Sequence, residues 1–216
     1  MTRIVYLHGF ASTPLSTKAQ FFERKFNGAE FEIPQLDRGN FEKLTVTSQL
    51  QVIDEAVRGD RVILMGSSLG GYLAALYASR HANVERLVLL APAFEFPARW
   101  RQKFSGDELD QWRATGSRNF YHYGYKSDCP LGYQFVEDSV QYEDAPDFSQ
   151  PALIFHGLRD DVVPAEVSRR YAAGHANVEL RLVESGHELT DVLDPLWEET
   201  ATFLGIPKAV SGVNNG

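Results

Sequence analysis

The chain has 216 residues, of which 44% are hydrophobic and 23% are charged. This is the composition of a globular protein that can bury a full core, and the length suits one α/β domain. The formal net charge of −8 repels phosphate backbones, which excludes nucleic acid as an expected partner.

Segments typical of strands alternate with segments typical of helices along the chain. Short apolar runs predict six strands, at residues 3–8, 30–34, 61–66, 84–92, 151–157 and 178–184. Apolar residues at helical spacing predict helices between them, at residues 16–26, 46–57, 69–77, 164–171 and 189–204. This alternation predicts a mostly parallel sheet with helices on both faces. We expect one domain over residues 1–205 and a flexible tail over residues 206–216.

The alternation breaks between residues 93 and 150, a segment several times longer than a crossover between parallel strands needs. The segment is rich in aromatic residues, and "FYHYGY" (120–125) is predicted to pair with "GYQFVE" (132–137) as a hairpin. We expect this insertion to form a small core of its own and a cap over an apolar pocket. Trp100 and Tyr123 are its candidate substrate-binding residues.

The segment "VILMGSSLGGYLAALYA" (62–78) holds two adjacent serines among glycines, between a predicted strand and a predicted helix. Gly-x-Ser-x-Gly at such a junction is the pattern of a nucleophile elbow, a sharp turn that exposes the serine Oγ. With Ser68 central the flanking residues are Gly66 and Gly70, whereas Ser67 would be flanked by bulkier side chains. We therefore predict Ser68 as the nucleophile. No lysine follows at the spacing of a phosphate-binding loop.

A nucleophilic serine needs a general base, and a histidine is the usual one. His187 lies in "VESGHELTD", a loop between the last predicted strand and the final helix. From that loop a side chain can reach across the end of the sheet to Ser68, so His187 is the predicted base. The other histidines lie at strand ends, at helix ends or in the insertion, where local hydrogen bonding is expected of them.

The base needs a carboxylate that orients it. "IFHGLRDDVVP" places Asp160 and Asp161 in the loop after the strand at residues 151–157. Asp160 is the predicted acid, and Asp161 is the alternative. The resulting order along the chain, serine, aspartate, histidine, is the order expected of α/β-hydrolases.

An oxyanion formed on the substrate needs backbone N–H donors. The N–H of Leu69, directly after the nucleophile, is one predicted donor. The second is expected from the loop after the first strand, where Phe10 is the candidate and Ala11 the alternative. The Phe10 side chain is also a candidate for lining the acyl pocket, and His8 is expected to brace the loop.

Four segments together carry a family resemblance: "YLHGFASTPLSTKA", "GSSLGGYLA", "HGLRDDVVP" and "SGHEL". Over residues 3 to about 205 the chain resembles the small bacterial YqiA-like esterases of the α/β-hydrolase superfamily. More distantly, it resembles mammalian acyl-protein thioesterase-like hydrolases. The resemblance implies the α/β-hydrolase fold and the hydrolysis of carboxylic ester or thioester acyl groups. In the frame HGxxDxxVP it also implies that the acid is the first aspartate, Asp160.

The sequence thus predicts a serine hydrolase that cleaves ester or thioester bonds of a small-molecule or acyl substrate through an acyl-enzyme. No cofactor is expected, and the spacing of His8, His156 and Asp160 fits no standard metal motif. Two alternatives stay open. One is an amidase, peptidase or lyase on the same scaffold, and the other is a hydrolase-like binding or signalling module without useful turnover.

The sequence also bears on the compartment. A single cysteine, Cys129, cannot form an internal disulfide, so nothing indicates an oxidising compartment. The first residues carry no apolar run of signal-peptide length, and no stretch reaches the length of a membrane span. We therefore expect a cytoplasmic protein without stable membrane association. The oligomeric state is not predicted.

Overall fold

The structure, a computed structural model, describes residues 3–206 and has a six-stranded sheet at its centre. The strands are β1 (Arg3–Leu7), β2 (Phe31–Glu32), β3 (Val62–Ser67), β4 (Val84–Leu90), β7 (Ala152–Gly157) and β8 (Val178–Val183). They lie in the order β2-β1-β3-β4-β7-β8, and every neighbouring pair is parallel. The predicted six-stranded parallel sheet is therefore confirmed. Apart from Ile206, the predicted flexible tail lies outside the described residues.

Helices cover both faces of the sheet. Successive side chains of a strand point to opposite faces, so each face has its own core cluster. Val5 and Leu7 of β1 belong to a core cluster with α2 (Val46–Val57), α3 (Leu69–Ala78) and α7 (Ala165–Gly174). The intervening side chains of β1 belong to a second cluster, on the other face. That cluster includes side chains of α1 (Thr17–Lys25) and α8 (Leu193–Leu204).

The insertion at residues 93–150 packs onto the first of these clusters. It contains three helices and a hairpin: α4 (Phe96–Gln102), α5 (Gly106–Thr115), β5 (Ser117–His122), β6 (Ser127–Gly132) and α6 (Gln134–Ser139). Most of its aromatic side chains, among them Phe96, Trp100 and Phe135, are buried in the same cluster as the core-facing residues of β1 and β3. The rings of Tyr121, Tyr123 and Tyr125 are exposed. The buried aromatic residues of this segment therefore extend the main core.

The hairpin of the insertion differs from the predicted one. β5 pairs antiparallel with β6, from Ser117 opposite Gly132 to His122 opposite Ser127, so the predicted partner "GYQFVE" was wrong. All but the first two residues of that segment lie in α6, where Phe135, Val136 and Ser139 are buried. A short apolar run of this kind fits a strand and a helix equally well, and in the structure the helix prevails.

Local signals explain where several helices begin and end. At the start of α2, the Thr45 side chain accepts from the Ser48 N–H and the Ser48 side chain accepts from the Thr45 N–H, which is a capping box. Helix α8 begins at Leu193, although the apolar stripe that predicts it starts at Leu189. Leu189 is buried, but its φ of 54° is left-handed and cannot belong to an α-helix.

The strand order identifies the edge of the sheet where a ligand is expected. From β1 the chain passes to β2 on one side and then to β3 on the other, so the direction of winding reverses between β1 and β3. In open α/β sheets, ligands bind at the carboxyl ends of the strands at such a switch point. Within residues 3–206, no helix is long and apolar enough to cross a membrane.

Candidate active site

Ser68 lies at the switch point, in a tight turn between β3 and α3. Its φ of 54° and ψ of −117° fall outside the regions that residues with side chains prefer. The turn is held by the end of β4 and the residues after it: the Ser68 N–H donates to Leu90 O at 2.9 Å, and the Ala93 N–H donates to Ser68 O at 3.0 Å. This is the strained geometry that the predicted nucleophile elbow requires.

The glycines on both sides of Ser68 allow the backbones to approach closely. A Cβ on Gly66 would lie 2.3 Å from Gly70 O, and a Cβ on Gly70 would lie 2.1 Å from Leu7 O. Both contacts are to backbone atoms, which cannot swing away as a side chain can. The glycine spacing of the motif is therefore needed to pack α3 against the ends of β1 and β3.

We expect Gly70→Ala to lower the free energy of unfolding by about 3 kcal/mol, since the methyl group must displace the backbone of β1. Gly174→Ala is the control, because a Cβ there meets no atom within 4 Å, and its effect should stay within about 0.5 kcal/mol. Urea unfolding followed by fluorescence measures both. Equal stability of the two variants would contradict the close packing at the turn.

Three predicted residues from three different loops form a continuous chain of hydrogen bonds. Ser68 Oγ lies 2.9 Å from His187 Nε2, and His187 Nδ1 lies 2.7 Å from Asp160 Oδ2. A carboxylate can only accept, so Nδ1 carries the proton and Nε2 is free to accept from the Ser68 hydroxyl. The arrangement can remove a proton from Ser68 and hold the resulting imidazolium against a negative charge.

Asp160 is the carboxylate of this chain, and its neighbour Asp161 is exposed to solvent. The Asp160 side chain is wholly buried, and its second oxygen, Oδ1, accepts from the N–H groups of Val162 and Val163 at 2.9 and 2.8 Å. Burial raises the pKa of this carboxyl, but hydrogen bonds from His156, His187 and Val163 outweigh it and hold the pKa well below its usual range. Asp160 is therefore ionised at neutral pH.

The loops that carry Asp160 and His187 are joined along their backbones. The Leu158 N–H donates to Val183 O at 2.8 Å, and the Arg159 N–H donates to Ser185 O at 2.9 Å. A Cβ on Gly157 would lie 2.4 Å from Ser185 O, so only glycine permits this approach. These contacts fix the separation of the two loops and hence the hydrogen bond between Asp160 and His187.

The loop after β1 lies directly beside Ser68. A Cβ placed on Gly9 would be 3.5 Å from the Ser68 Cβ, and Phe10 follows at once. Within residues 3–206, neither the Phe10 N–H nor the Leu69 N–H donates to a protein acceptor. Leu69 is the first residue of α3, where backbone N–H groups point outward and the helix dipole favours negative charge.

The His8 side chain stabilises this loop through contacts of both ring nitrogens. Its Nε2 accepts from the Leu36 N–H at 3.2 Å, and its Nδ1 lies 3.0 Å from Gly9 O. Burial lowers the pKa of His8 to about 4, so the ring is neutral at pH 7 and Nδ1–H donates to the Gly9 carbonyl. These contacts agree with the bracing role expected of His8.

The three predicted substrate-binding residues differ in how far their rings are buried. The Phe10 ring packs against an aromatic cluster of the insertion, with its centroid 5.0 Å from that of Trp100 and 5.7 Å from that of Phe120. Trp100 is 9% exposed, and its indole N–H is buried without a partner. The Tyr123 ring is 72% exposed, while its backbone N–H donates to Ala11 O at 2.8 Å. The hairpin turn therefore supports the Phe10 loop through its backbone.

His156 is a buried residue whose part in the site is visible only in the structure. Its Nε2 lies 3.1 Å from Asp160 Oδ2, the oxygen that also binds His187. The one signal in the sequence is a histidine at the end of the otherwise apolar run "ALIF". Within residues 3–206, no group of three or more histidine, cysteine or acidic side chains is placed to hold a metal ion.

Comparison with known proteins places the chain in a family. The sequence model of an uncharacterised protein family, UPF0227, matches residues 3–204. The chain belongs to this family. A curated relative, the AB hydrolase superfamily protein YisY of Bacillus subtilis, is 24% identical over 233 aligned positions, which cover 85% of this chain and 84% of YisY. These matches confirm the resemblance of the UPF0227 chain to YqiA-like members of the α/β-hydrolase superfamily.

Solved structures similar to this UPF0227 protein are α/β-hydrolases. Mouse alpha/beta hydrolase domain-containing protein 10 has a TM-score of 0.79 at 19% identity, over 94% of this chain and 89% of its own. Est1E from Butyrivibrio proteoclasticus has a TM-score of 0.75 at 17% identity, over 94% and 88%. The monoacylglycerol lipase of Paleococcus ferrophilus has a TM-score of 0.70 at 18% identity, over 94% and 96%. The predicted α/β-hydrolase fold is therefore confirmed.

Proposed function

We propose that this protein is a serine hydrolase that cleaves carboxylic ester or thioester bonds through an acyl-enzyme. The observation that carries the proposal is the unbroken chain of hydrogen bonds from Ser68 Oγ through His187 to Asp160, with lengths of 2.9 and 2.7 Å. Ser68 stands at the amino end of α3 and is half-buried. A nucleophile elbow presents its serine hydroxyl to an approaching carbonyl. The names of fold neighbours, an Est1E protein and a monoacylglycerol lipase, agree with acyl hydrolysis.

The proposed reaction has two steps. His187 Nε2 takes the Ser68 proton as Oγ attacks the acyl carbonyl, and the N–H groups of Leu69 and Phe10 donate to the developing oxyanion. His187 then gives the proton to the departing alcohol or thiol, which leaves an ester on Ser68. In the second step His187 takes a proton from water, which attacks this ester, and then returns that proton to Ser68 Oγ as the acid leaves. Asp160 stays ionised throughout and holds the Nδ1–H tautomer of His187.

The aromatic cluster beside Phe10 bears on the acyl group. Phe10, Trp100, Phe120 and Phe135 pack with ring centroids 5.0 to 5.8 Å apart, and we propose that the accessible edge of this cluster is an apolar wall for the acyl group. An apolar acyl chain can lie along this wall, as expected for Phe10 and Trp100. A long chain would extend past it into water, where the added methylene groups contribute little binding free energy.

We therefore expect hydrolysis of p-nitrophenyl esters, with kcat/KM higher for short and medium acyl chains than for palmitate. Trp100→Phe should shift the preference toward shorter chains, because a smaller ring shortens the wall and no indole hydrogen bond is lost. Trp197→Phe is the control, since Trp197 packs against Phe26 on the other face of the sheet. The measurement is a chain-length series from acetate to palmitate, with acyl thioesters alongside.

Two results of this series would contradict the proposal at different levels. If no ester or thioester is hydrolysed, amide cleavage, lyase chemistry or ligand binding without turnover replaces acyl hydrolysis. If esters are hydrolysed but Trp100→Phe leaves the chain-length profile unchanged, the acyl chain lies elsewhere. In that case the wall is only part of the core.

A further inference from the structure

Two imidazole rings lie against the same carboxylate oxygen in this protein. Asp160 Oδ2 accepts from His187 Nδ1 at 2.7 Å on the side of Ser68, and His156 Nε2 lies 3.1 Å away on the side of the core. The side chains of Asp160 and His156 are both wholly buried. The other carboxylate oxygen accepts two backbone N–H groups. His156 Nε2 is therefore one of four nitrogen atoms that lie within 3.1 Å of the buried carboxylate.

The partners of His156 define where its protons lie. Nε2 faces Asp160 Oδ2 and also Val163 O at 2.8 Å, and both atoms can only accept, so Nε2 carries a proton. Nδ1 lies 2.7 Å from the hydroxyl of Ser168, which is wholly buried in α7. The Ser168 hydroxyl can donate to Nδ1, which agrees with a ring proton on Nε2.

We propose that His156, with Ser168 behind it, is a positioning residue that holds the Asp160 carboxylate in the rotation that His187 needs. The hydrogen-bonded chain then runs from Ser168 through His156, Asp160 and His187 to Ser68, and links α7 to the nucleophile. This inference rests on the proposed serine hydrolase function. His156 itself touches no reacting atom and acts only through Asp160.

Sharing one oxygen between two donors has a chemical consequence. The His156 N–H stabilises negative charge on Oδ2 and so weakens the pull of that oxygen on the His187 Nδ1–H. Without His156, the carboxylate is a stronger acceptor toward His187 and stabilises the protonated form of that imidazole. The same change leaves the carboxylate free to turn. Loss of the His156 donor should therefore slow the reaction and move the acid limb of the pH–rate profile to higher pH.

The test compares His156→Leu, which removes the donor, with His156→Gln, whose side-chain amide can place an N–H near the same point. We expect His156→Leu to lower kcat about 10- to 100-fold with KM little changed, as for outer partners that orient a functional group. The acid limb of kcat/KM should rise by about one pH unit, the size expected from one hydrogen bond to a charged group. His156→Gln should recover most of both effects.

Serine variants provide a milder pair in case His156→Leu does not fold. Ser168→Ala removes the partner of Nδ1 and should lower kcat several-fold with KM unchanged. Ser139→Ala is the control, because Ser139 is equally buried but donates to Val136 O at 2.9 Å, within α6. It should hydrolyse esters at the rate of the unmodified protein. Rates are divided by the active-site concentration from fluorophosphonate titration, so that misfolded protein does not count.

The possible outcomes separate this inference from the function on which it rests. The positioning role is wrong if His156→Leu folds and keeps the kcat and the acid limb of the unmodified protein. If His156→Leu does not fold, the role is wrong when Ser168→Ala and Ser139→Ala are equally active. Ester hydrolysis through Ser68 would still stand in both cases. If Ser68→Ala remains active, the proposed function fails instead. Loss in His156→Leu with recovery in His156→Gln supports the inference.

Discussion

Ser68→Ala is expected to abolish ester hydrolysis, with kcat lowered roughly 10⁵-fold or more, as when a triad serine is removed elsewhere. The alanine lacks the Oγ that lies 2.9 Å from His187 Nε2, so no acyl-enzyme can form. Its Cβ occupies the place of the serine Cβ at the same φ of 54°, and the fold should be unchanged. Steady-state hydrolysis of the best p-nitrophenyl ester measures the loss, with circular dichroism to verify folding.

Ser67→Ala is the matched control for this variant. Ser67 is the last residue of β3 and is buried, one position before the turn. The Ser67→Ala variant should hydrolyse the ester at close to the rate of the unmodified protein. If Ser67→Ala loses activity while Ser68→Ala keeps it, the nucleophile is Ser67 and not Ser68. If both keep it, the hydrolysis does not depend on this turn.

Asp160→Asn is expected to lower kcat by about 10⁴-fold, because the amide fits the same space but cannot hold His187 in the working tautomer. An amide nitrogen facing Nδ1 would favour the tautomer that carries its proton on Nε2, which can no longer accept from Ser68. Asp161→Asn is the control, since Asp161 is the exposed neighbour with the same chemistry. KM should change little in either variant.

The pair Asp160→Asn and Asp161→Asn also decides between the two acids that the sequence left open. A large loss in Asp161→Asn alone would overturn the assignment of Asp160. Losses of equal size in both would indicate a general effect of charge on this loop. Only a loss confined to Asp160→Asn agrees with the 2.7 Å hydrogen bond to His187.

The sequence predicted the sheet well because most of its inner strands are buried on both faces. All six residues of β3 and all six of β7 are buried, so both strands stand out as continuous apolar runs. The edge strand β2 is only two residues long, although five residues were predicted, since only Phe31 and Glu32 pair with β1. An apolar run in the sequence does not indicate how many of its residues pair with the neighbouring strand at the edge of a sheet.

The candidate site was partly predictable for a related reason. Ser68, Asp160 and His187 each follow a strand, and parallel strands bring their carboxyl ends to one edge of the sheet. The hydrogen bonds that join His156 to Asp160 and His8 to Leu36 depend on side-chain directions and on contacts between distant loops. Chain order alone contains no such information. The same holds for the ring of Tyr123, which faces solvent although its backbone supports the Phe10 loop.

The most direct test of the account is covalent labelling with a fluorophosphonate, followed by intact mass and peptide mapping. We predict one adduct per chain, located on Ser68, and none in Ser68→Ala. Prior incubation with an ester that the protein hydrolyses should slow the labelling. An intact protein that stays unlabelled, or an adduct on a residue other than Ser68, would contradict a nucleophilic serine activated by His187 and Asp160.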